Sequence, residues 1–92
     1  FACGMPQLLK GESLMNVSSQ YDTVQYLEPV GVFLGLAPWN FPAMIPHGWM
    51  IPLCLAAGNT FVLKAASAAP QSALRFTELW MEAGWPPGVL MT

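Results

Sequence analysis

Between two apolar runs of this sequence stands Leu36-Ala37-Pro38-Trp39-Asn40-Phe41-Pro42, an indole and a primary amide set among prolines. A carboxamide in such a place can donate a hydrogen bond to an oxygen that gains charge during a reaction. Asn before a helix-starting proline is also a favoured N-cap, so Asn40 has a purely structural use as well. Lys64 follows the second run, Thr60-Phe61-Val62-Leu63, and a lysine at the carboxyl edge of a parallel sheet is placed to contact a ligand. Cys54, between Leu53 and Leu55, has the apolar setting of an inert core thiol rather than a nucleophile. His47 is the single histidine, on an apolar segment without a carboxylate in range, and no role is assigned to it. With Cys3 and Cys54 in no CxxC spacing and no second histidine, no metal site is expected. Trp49, Trp80 and Trp85 read as core aromatics.

The elements that must position these residues follow from pattern. Phe1 to Leu9 reads as the apolar end of a helix, interrupted by Gly4 and Pro6 and closed by Gly11. Ser13 to Val17 and Thr23 to Leu27 are strand-like, with Ser18-Ser19-Gln20 as the turn of a hairpin. Val30 to Gly35 is a short continuous apolar run, as expected of a parallel strand covered on both faces. Pro42 can open a helix that runs to about Ala57, kinked at Pro52 and stopped by Gly58. Thr60 to Leu63 is a second buried strand. Pro70 opens a helix with Ala73, Phe76, Leu79, Trp80 and Ala83 on one side, Gly84 ends it, and Gly88 to Thr92 starts a third strand. The order is that of an α/β domain: a partial doubly wound parallel sheet (β-α-β-α-β), preceded by a helix end and a β-hairpin. Residues 1–28 form the helix end and extended ribbons, and residues 29–92 the sheet region.

Composition narrows the partners. Hydrophobic residues make up 54% of the 92 and charged residues 9%, against about 25% charged in an ordinary soluble domain, so something must cover this surface. Lys10, Lys64 and Arg75 are the only Lys or Arg, and a formal charge of −2 leaves no basic face for nucleic acid. Pro29 to Leu63 contains no Asp, Glu, Lys or Arg, long enough to span a bilayer. Yet Pro29, Pro38, Pro42, Pro46 and Pro52 interrupt it, and lipid does not satisfy the carbonyls that interior prolines free. The cover is therefore expected to be more protein, and both ends of the sequence read as cut. A membrane-associated segment and a non-catalytic apolar interaction module are the competing readings, and neither needs Asn40 or Lys64.

No GxGxxG follows the first core strand, so the usual dinucleotide fingerprint is missing. What is present resembles the aldehyde dehydrogenase superfamily: Glu28-Pro29-Val30-Gly31-Val32, Pro38-Trp39-Asn40-Phe41-Pro42, Gly58-Asn59-Thr60-Phe61-Val62-Leu63-Lys64, Glu82-Ala83-Gly84 and Pro87-Gly88-Val89, in family order. Within it, Phe1-Ala2-Cys3-Gly4, Leu8-Leu9-Lys10-Gly11-Glu12 and Asn40-Phe41-Pro42-Ala43-Met44-Ile45-Pro46 look like the CoA-acylating methylmalonate-semialdehyde dehydrogenases. The resemblance implies a fragment of an NAD-binding domain, with residues 1–28 leading to the oligomerisation region of a homo-oligomer. It implies NAD-dependent oxidation of a short-chain semialdehyde through a cysteine thiohemiacetal, with coenzyme A as co-substrate. Asn40 would be the oxyanion donor, and Ala37 through its backbone, Trp39 and Lys64 would contact NAD. The family's nucleophilic cysteine and general base lie downstream of this segment, so the fragment alone is expected to be inactive. The compartment implied is bacterial cytoplasm or the mitochondrial matrix.

Three departures accompany the likeness. The family's Lys-Pro-Ser-Glu reads Lys64-Ala65-Ala66-Ser67, replacing a ribose-binding carboxylate by a hydroxyl. Trp39 stands where the methylmalonate-semialdehyde subgroup favours Phe. Between Asn40 and Gly58-Asn59 the chain looks one residue longer. An inserted residue turns the rest of a helix by about 100°, so a local bulge is expected near Gly48.

Overall fold

The two apolar runs become neighbouring parallel strands, β3 (Val32–Leu36) and β4 (Thr60–Lys64), and a short β5 (Leu90–Met91) adds to β4 in the same direction. The computed structural model describes residues 2–92. Phe1, assigned by sequence to the first helix and the Phe1-Ala2-Cys3-Gly4 motif, lies outside them. A 3-10 turn at Ala2–Gly4 leads into helix α1 (Met5–Leu8), with Pro6 in its first turn. The antiparallel hairpin β1 (Ser13–Ser18) and β2 (Tyr21–Val24) follows, turning at Ser19-Gln20. Helix α2 (Ile51–Ala56) joins β3 to β4, and α3 (Pro70–Glu82) joins β4 to β5. The α/β class, the β-α-β-α-β order and the preceding helix end and hairpin thus agree with the pattern of the sequence.

Pleating divides the sheet into unequal faces. Phe61, Leu63 and Leu90 point under α2 and α3 and close a core with Ile51, Leu55 and Ala73. The other face carries Val32 and Leu34, 76% and 66% exposed, where Phe61 and Leu63 are 3% and 2%. Sequential strand order with right-handed crossovers puts both helices on one side, so this segment contains one half of a doubly wound arrangement. The hairpin is exposed along its whole length. With it, the radius of gyration reaches 17.1 Å, against about 12 Å for a compact chain of this length.

Both crossover helices end as their glycines require. Gly58 adopts φ 82°, its N–H bonds to the Leu55 carbonyl at 3.0 Å, and the Asn59 N–H to Cys54 at 3.2 Å. That is a Schellman closure. Asn59 then turns its buried amide to the strand entrance: Oδ1 accepts from the Val30 and Gly31 N–H groups at 2.6 and 2.8 Å, and Nδ2 donates to the Cys54 carbonyl at 3.3 Å. Gly84 closes α3 in the same way, with Gly84 N–H on Met81 and Trp85 N–H on Trp80.

The first crossover differs from the expected helix. It begins not at Pro42 but after a turn at residues 41–43, and Met44–Met50 is π-helical before α2 proper starts at Ile51. The Ile51 N–H reaches back five residues to the Pro46 carbonyl. A π turn holds one residue more than an α turn, so the bulge expected near Gly48 is spread over the whole stretch. Pro52 falls in the first turn of α2, where a missing N–H costs little.

Candidate cofactor and oxyanion site

The carboxyl ends of β3 and β4 are tied together beyond the last ladder pair, Leu36 with Lys64, because the Ala37 N–H donates to the Lys64 carbonyl at 3.1 Å. That bond fixes where each chain leaves the sheet. It occupies the Ala37 amide, so the Ala37 carbonyl is the backbone group left for a ligand. Lys64 extends its ammonium along the same edge and donates to Ser67 Oγ at 3.0 Å. Ser67, three residues beyond the strand, therefore sits beside the lysine, where the family pattern has a carboxylate.

Trp39 and Asn40 follow Ala37 in an exposed bend, the indole 71% exposed. Neither hydrogen-bonds to Lys64 among the described residues. The geometry joins Ala37, Lys64 and Ser67 directly and brings Trp39 and Asn40 in through the chain. Asn40 is not a helix cap. The residue preceding the π-helical stretch is Ala43, and no side chain caps that end. Its amide, exposed and uncommitted to the helix, is available to an incoming oxygen.

Two residues with reactive side chains are accounted for by structure. Cys54 directs its thiol at the Thr60 carbonyl, 3.7 Å away, and burial raises its pKa, the opposite of what a nucleophile needs. His47 is buried, and both ring nitrogens are engaged: Nε2 lies 3.0 Å from the Ala73 carbonyl and Nδ1 accepts from the Trp80 indole at 3.2 Å. The ring stacks on Phe76 with centroids 5.2 Å apart. Its partners lie on a helix far along the chain, so nothing in the local sequence signals them. Among the described residues no cluster has the make-up of a metal site.

An open apolar hollow of about 590 Å³ lies between the π-helical stretch and α3, walled by Met44, Phe76, Leu79, Trp80 and Trp85. The one-sided stripe expected on α3 is real, but of its members only Ala73 is fully buried. Phe76 and Leu79 face the hollow and remain 44% and 42% exposed. Of the three tryptophans read as core, Trp80 and Trp85 pack against the core and meet each other edge to face, while Trp49 is half exposed. Among the described residues no helix is long and apolar enough to cross a membrane.

The sequence model of the aldehyde dehydrogenase family matches residues 1–92. Malonate-semialdehyde dehydrogenase 1 of Geobacillus kaustophilus is 50% identical over 90 residues, covering 98% of this chain and 18% of that protein. The acylating, mitochondrial methylmalonate-semialdehyde dehydrogenase of Arabidopsis thaliana is 52% identical over 89 residues, covering 97% of this chain and 14% of its own. A crystal structure from Sinorhizobium meliloti 1021, described as a methylmalonate-semialdehyde dehydrogenase complexed with NAD, superposes with a TM-score of 0.90. It is 40% identical and covers 98% of this chain and 18% of that one. The chain thus spans less than a fifth of the length of these relatives.

Proposed function

This chain belongs to the aldehyde dehydrogenase family, and from that premise we propose that it is part of the NAD-binding domain of a CoA-acylating malonate- or methylmalonate-semialdehyde dehydrogenase. Residues 29–92 belong to that domain, and residues 1–28 lead toward the oligomerisation region of a homo-oligomer. The observation that carries the reading is the strand-end tie from Ala37 to Lys64, which gathers a backbone carbonyl, an ammonium and a hydroxyl on one carboxyl edge, where open α/β sheets bind ligands.

Those groups suit a dinucleotide. Lys64 and Ser67 offer hydrogen bonds to ribose hydroxyls, the Ala37 carbonyl accepts, and the exposed face of Trp39 offers an apolar wall. NAD, when bound, accepts hydride from the substrate. Asn40 directs its amide N–H to the aldehyde oxygen and stabilises the charge that develops there. The core under β3 and β4 holds both strand ends so that these donors need not reorganise. The enzyme works in bacterial cytoplasm or the mitochondrial matrix, the plant relative being a mitochondrial protein.

The test is product analysis with the full-length enzyme, supplied with methylmalonate or malonate semialdehyde and NAD. NADH and an acyl-CoA thioester are expected to form together, the thioester only when coenzyme A is present. Release of free acid at the same rate with or without coenzyme A would remove the acylating assignment.

Ser67 supplies a second, quantitative test. A carboxylate accepts from both ribose hydroxyls, and charge-assisted bonds contribute about 1.5–3 kcal/mol against roughly 1 for neutral ones. Ser67→Glu is therefore expected to tighten NAD binding by about 1–2 kcal/mol, read by calorimetry on the full-length enzyme. Equal dissociation constants would show that position 67 does not meet the ribose.

A further inference from the structure

The π-helical stretch Met44–Met50 is a weak element in a demanding place. Pro46 brings no N–H to it, Gly48 stiffens nothing, and π-helix is rare and occurs mostly as single-turn bulges rather than as a run of this length. It nonetheless carries the turn at residues 41–43, and through it Asn40. His47 holds it in two directions. Its backbone N–H donates to the Ala43 carbonyl at 3.0 Å, at the head of the stretch. Its ring reaches across to α3, to the Ala73 carbonyl and the Trp80 indole.

An indole N–H only donates, so Nδ1 must be the bare nitrogen and Nε2 must carry the proton that Ala73 accepts. The ring is held neutral in one tautomer. A second proton would set two N–H groups against each other and break the Trp80 bond. Among the described residues no charge stands ready to stabilise an imidazolium. On α3, Arg75, Glu78 and Glu82 pair with one another on the exposed side. On α2 the titratable group is Cys54, turned to Thr60, and β3 and the π-helical stretch contribute no further titratable side chain. Burial accordingly lowers the His47 pKa, with the Ala73 bond opposing.

We propose that His47 is a positioning residue, whose neutral ring ties the π-helical stretch to α3 and thereby holds the turn that presents Asn40 to the substrate. The catalytic consequence rests on the reading of Asn40 as oxyanion donor; the tie itself does not. Acid should release it. The folded-state pKa lies below the unfolded one, so the stabilisation is complete above about pH 6.5 and is lost as pH falls toward the folded pKa.

The test uses full-length enzyme, hydrogen exchange by mass spectrometry over residues 39–50, and turnover measured in parallel. His47→Ala and Trp80→Phe are expected to accelerate exchange across this segment at neutral pH. Both should lower kcat by roughly 10- to 100-fold, the cost of a slightly misplaced group, with NAD affinity retained. His47→Gln offers one donor and one acceptor that do not titrate and should restore protection and turnover. Wild type should lose protection, beyond the intrinsic pH dependence of exchange, as pH is titrated down from the ordinary histidine value through the lowered folded-state pKa, while His47→Gln keeps it over the same range. Unchanged exchange in His47→Ala would overturn the tie. Turnover retained in His47→Ala, under conditions where Asn40→Ala has lost it, would overturn the positioning role. If Asn40→Ala itself keeps full turnover, the oxyanion reading fails, and the exchange data alone still decide whether His47 holds the turn.

Discussion

Replacing Asn40 by Ala in the full-length enzyme is expected to lower kcat by about 10²–10³-fold while NAD affinity changes little, the loss typical of one oxyanion donor. The structure separates this outcome from a loss of fold. The residue that precedes the helical stretch is Ala43, without a side-chain cap, and Asn40 is exposed in the bend before it. Truncating an exposed side chain that caps nothing should move stability by no more than about 0.5 kcal/mol, so the thermal midpoint serves as the control. Asn40→Asp sharpens the contrast, because a carboxylate matches the amide in shape, accepts only, and brings negative charge to a place where negative charge develops. It should be at least as damaging as Ala. Full turnover by Asn40→Ala on its best aldehyde would return Asn40 to the role of a bend residue.

Much of the scaffold is readable in the sequence, for reasons that can be named. Val30 to Gly35 and Thr60 to Leu63 are short, apolar and bounded by prolines or glycine, and a buried parallel strand has little other sequence. Gly58 and Gly84 mark helix ends because the positive φ of a Schellman closure suits glycine. The first crossover is harder. A count of spacing gives an extra residue, and Gly48 is a plausible place for it, but whether one bulge or a seven-residue π stretch absorbs it depends on packing against α3. His47 escapes local reading for the same reason: its partners Ala73 and Trp80 lie 26 and 33 positions away. Asn59 is recognisable as part of a motif, but its work, gathering the Val30 and Gly31 amides beneath the strand entrance, emerges only when β3 and β4 lie side by side. The exposed apolar face of the sheet bears out the composition, since a segment so poor in charge cannot cover itself.

The largest expected loss of stability comes from the place where a strand glycine meets a buried ring. Gly35 is opposite Leu63 in the parallel register, with Phe61 on the same face of β4. A β-carbon at position 35 would lie 2.2 and 2.6 Å from Phe61 ring atoms and 2.9 Å from the end of Met50. Met50 is flexible and can move aside. The Phe61 ring, 3% exposed among Ile51, Leu63 and Leu90, has nowhere to go without displacing α2. Gly35 is thus small because Phe61 is large, and both sizes serve the strand end that carries Ala37 and Asn40. Phe61→Ala should cost about 3–5 kcal/mol through the cavity it leaves. Gly35→Ala should cost about 1–3 kcal/mol through overpacking. Because the two sites share one volume, Gly35→Ala with Phe61→Leu should be less destabilising than the sum of the single changes, with a coupling of about 0.5–3 kcal/mol. Denaturant or thermal unfolding of the full-length enzyme with Gly35→Ala, Phe61→Leu and the double variant closes the cycle. Strict additivity would mean that β3 shifts away from β4 to make room, and in that case the Ala37–Lys64 tie should weaken and NAD affinity fall in Gly35→Ala alone.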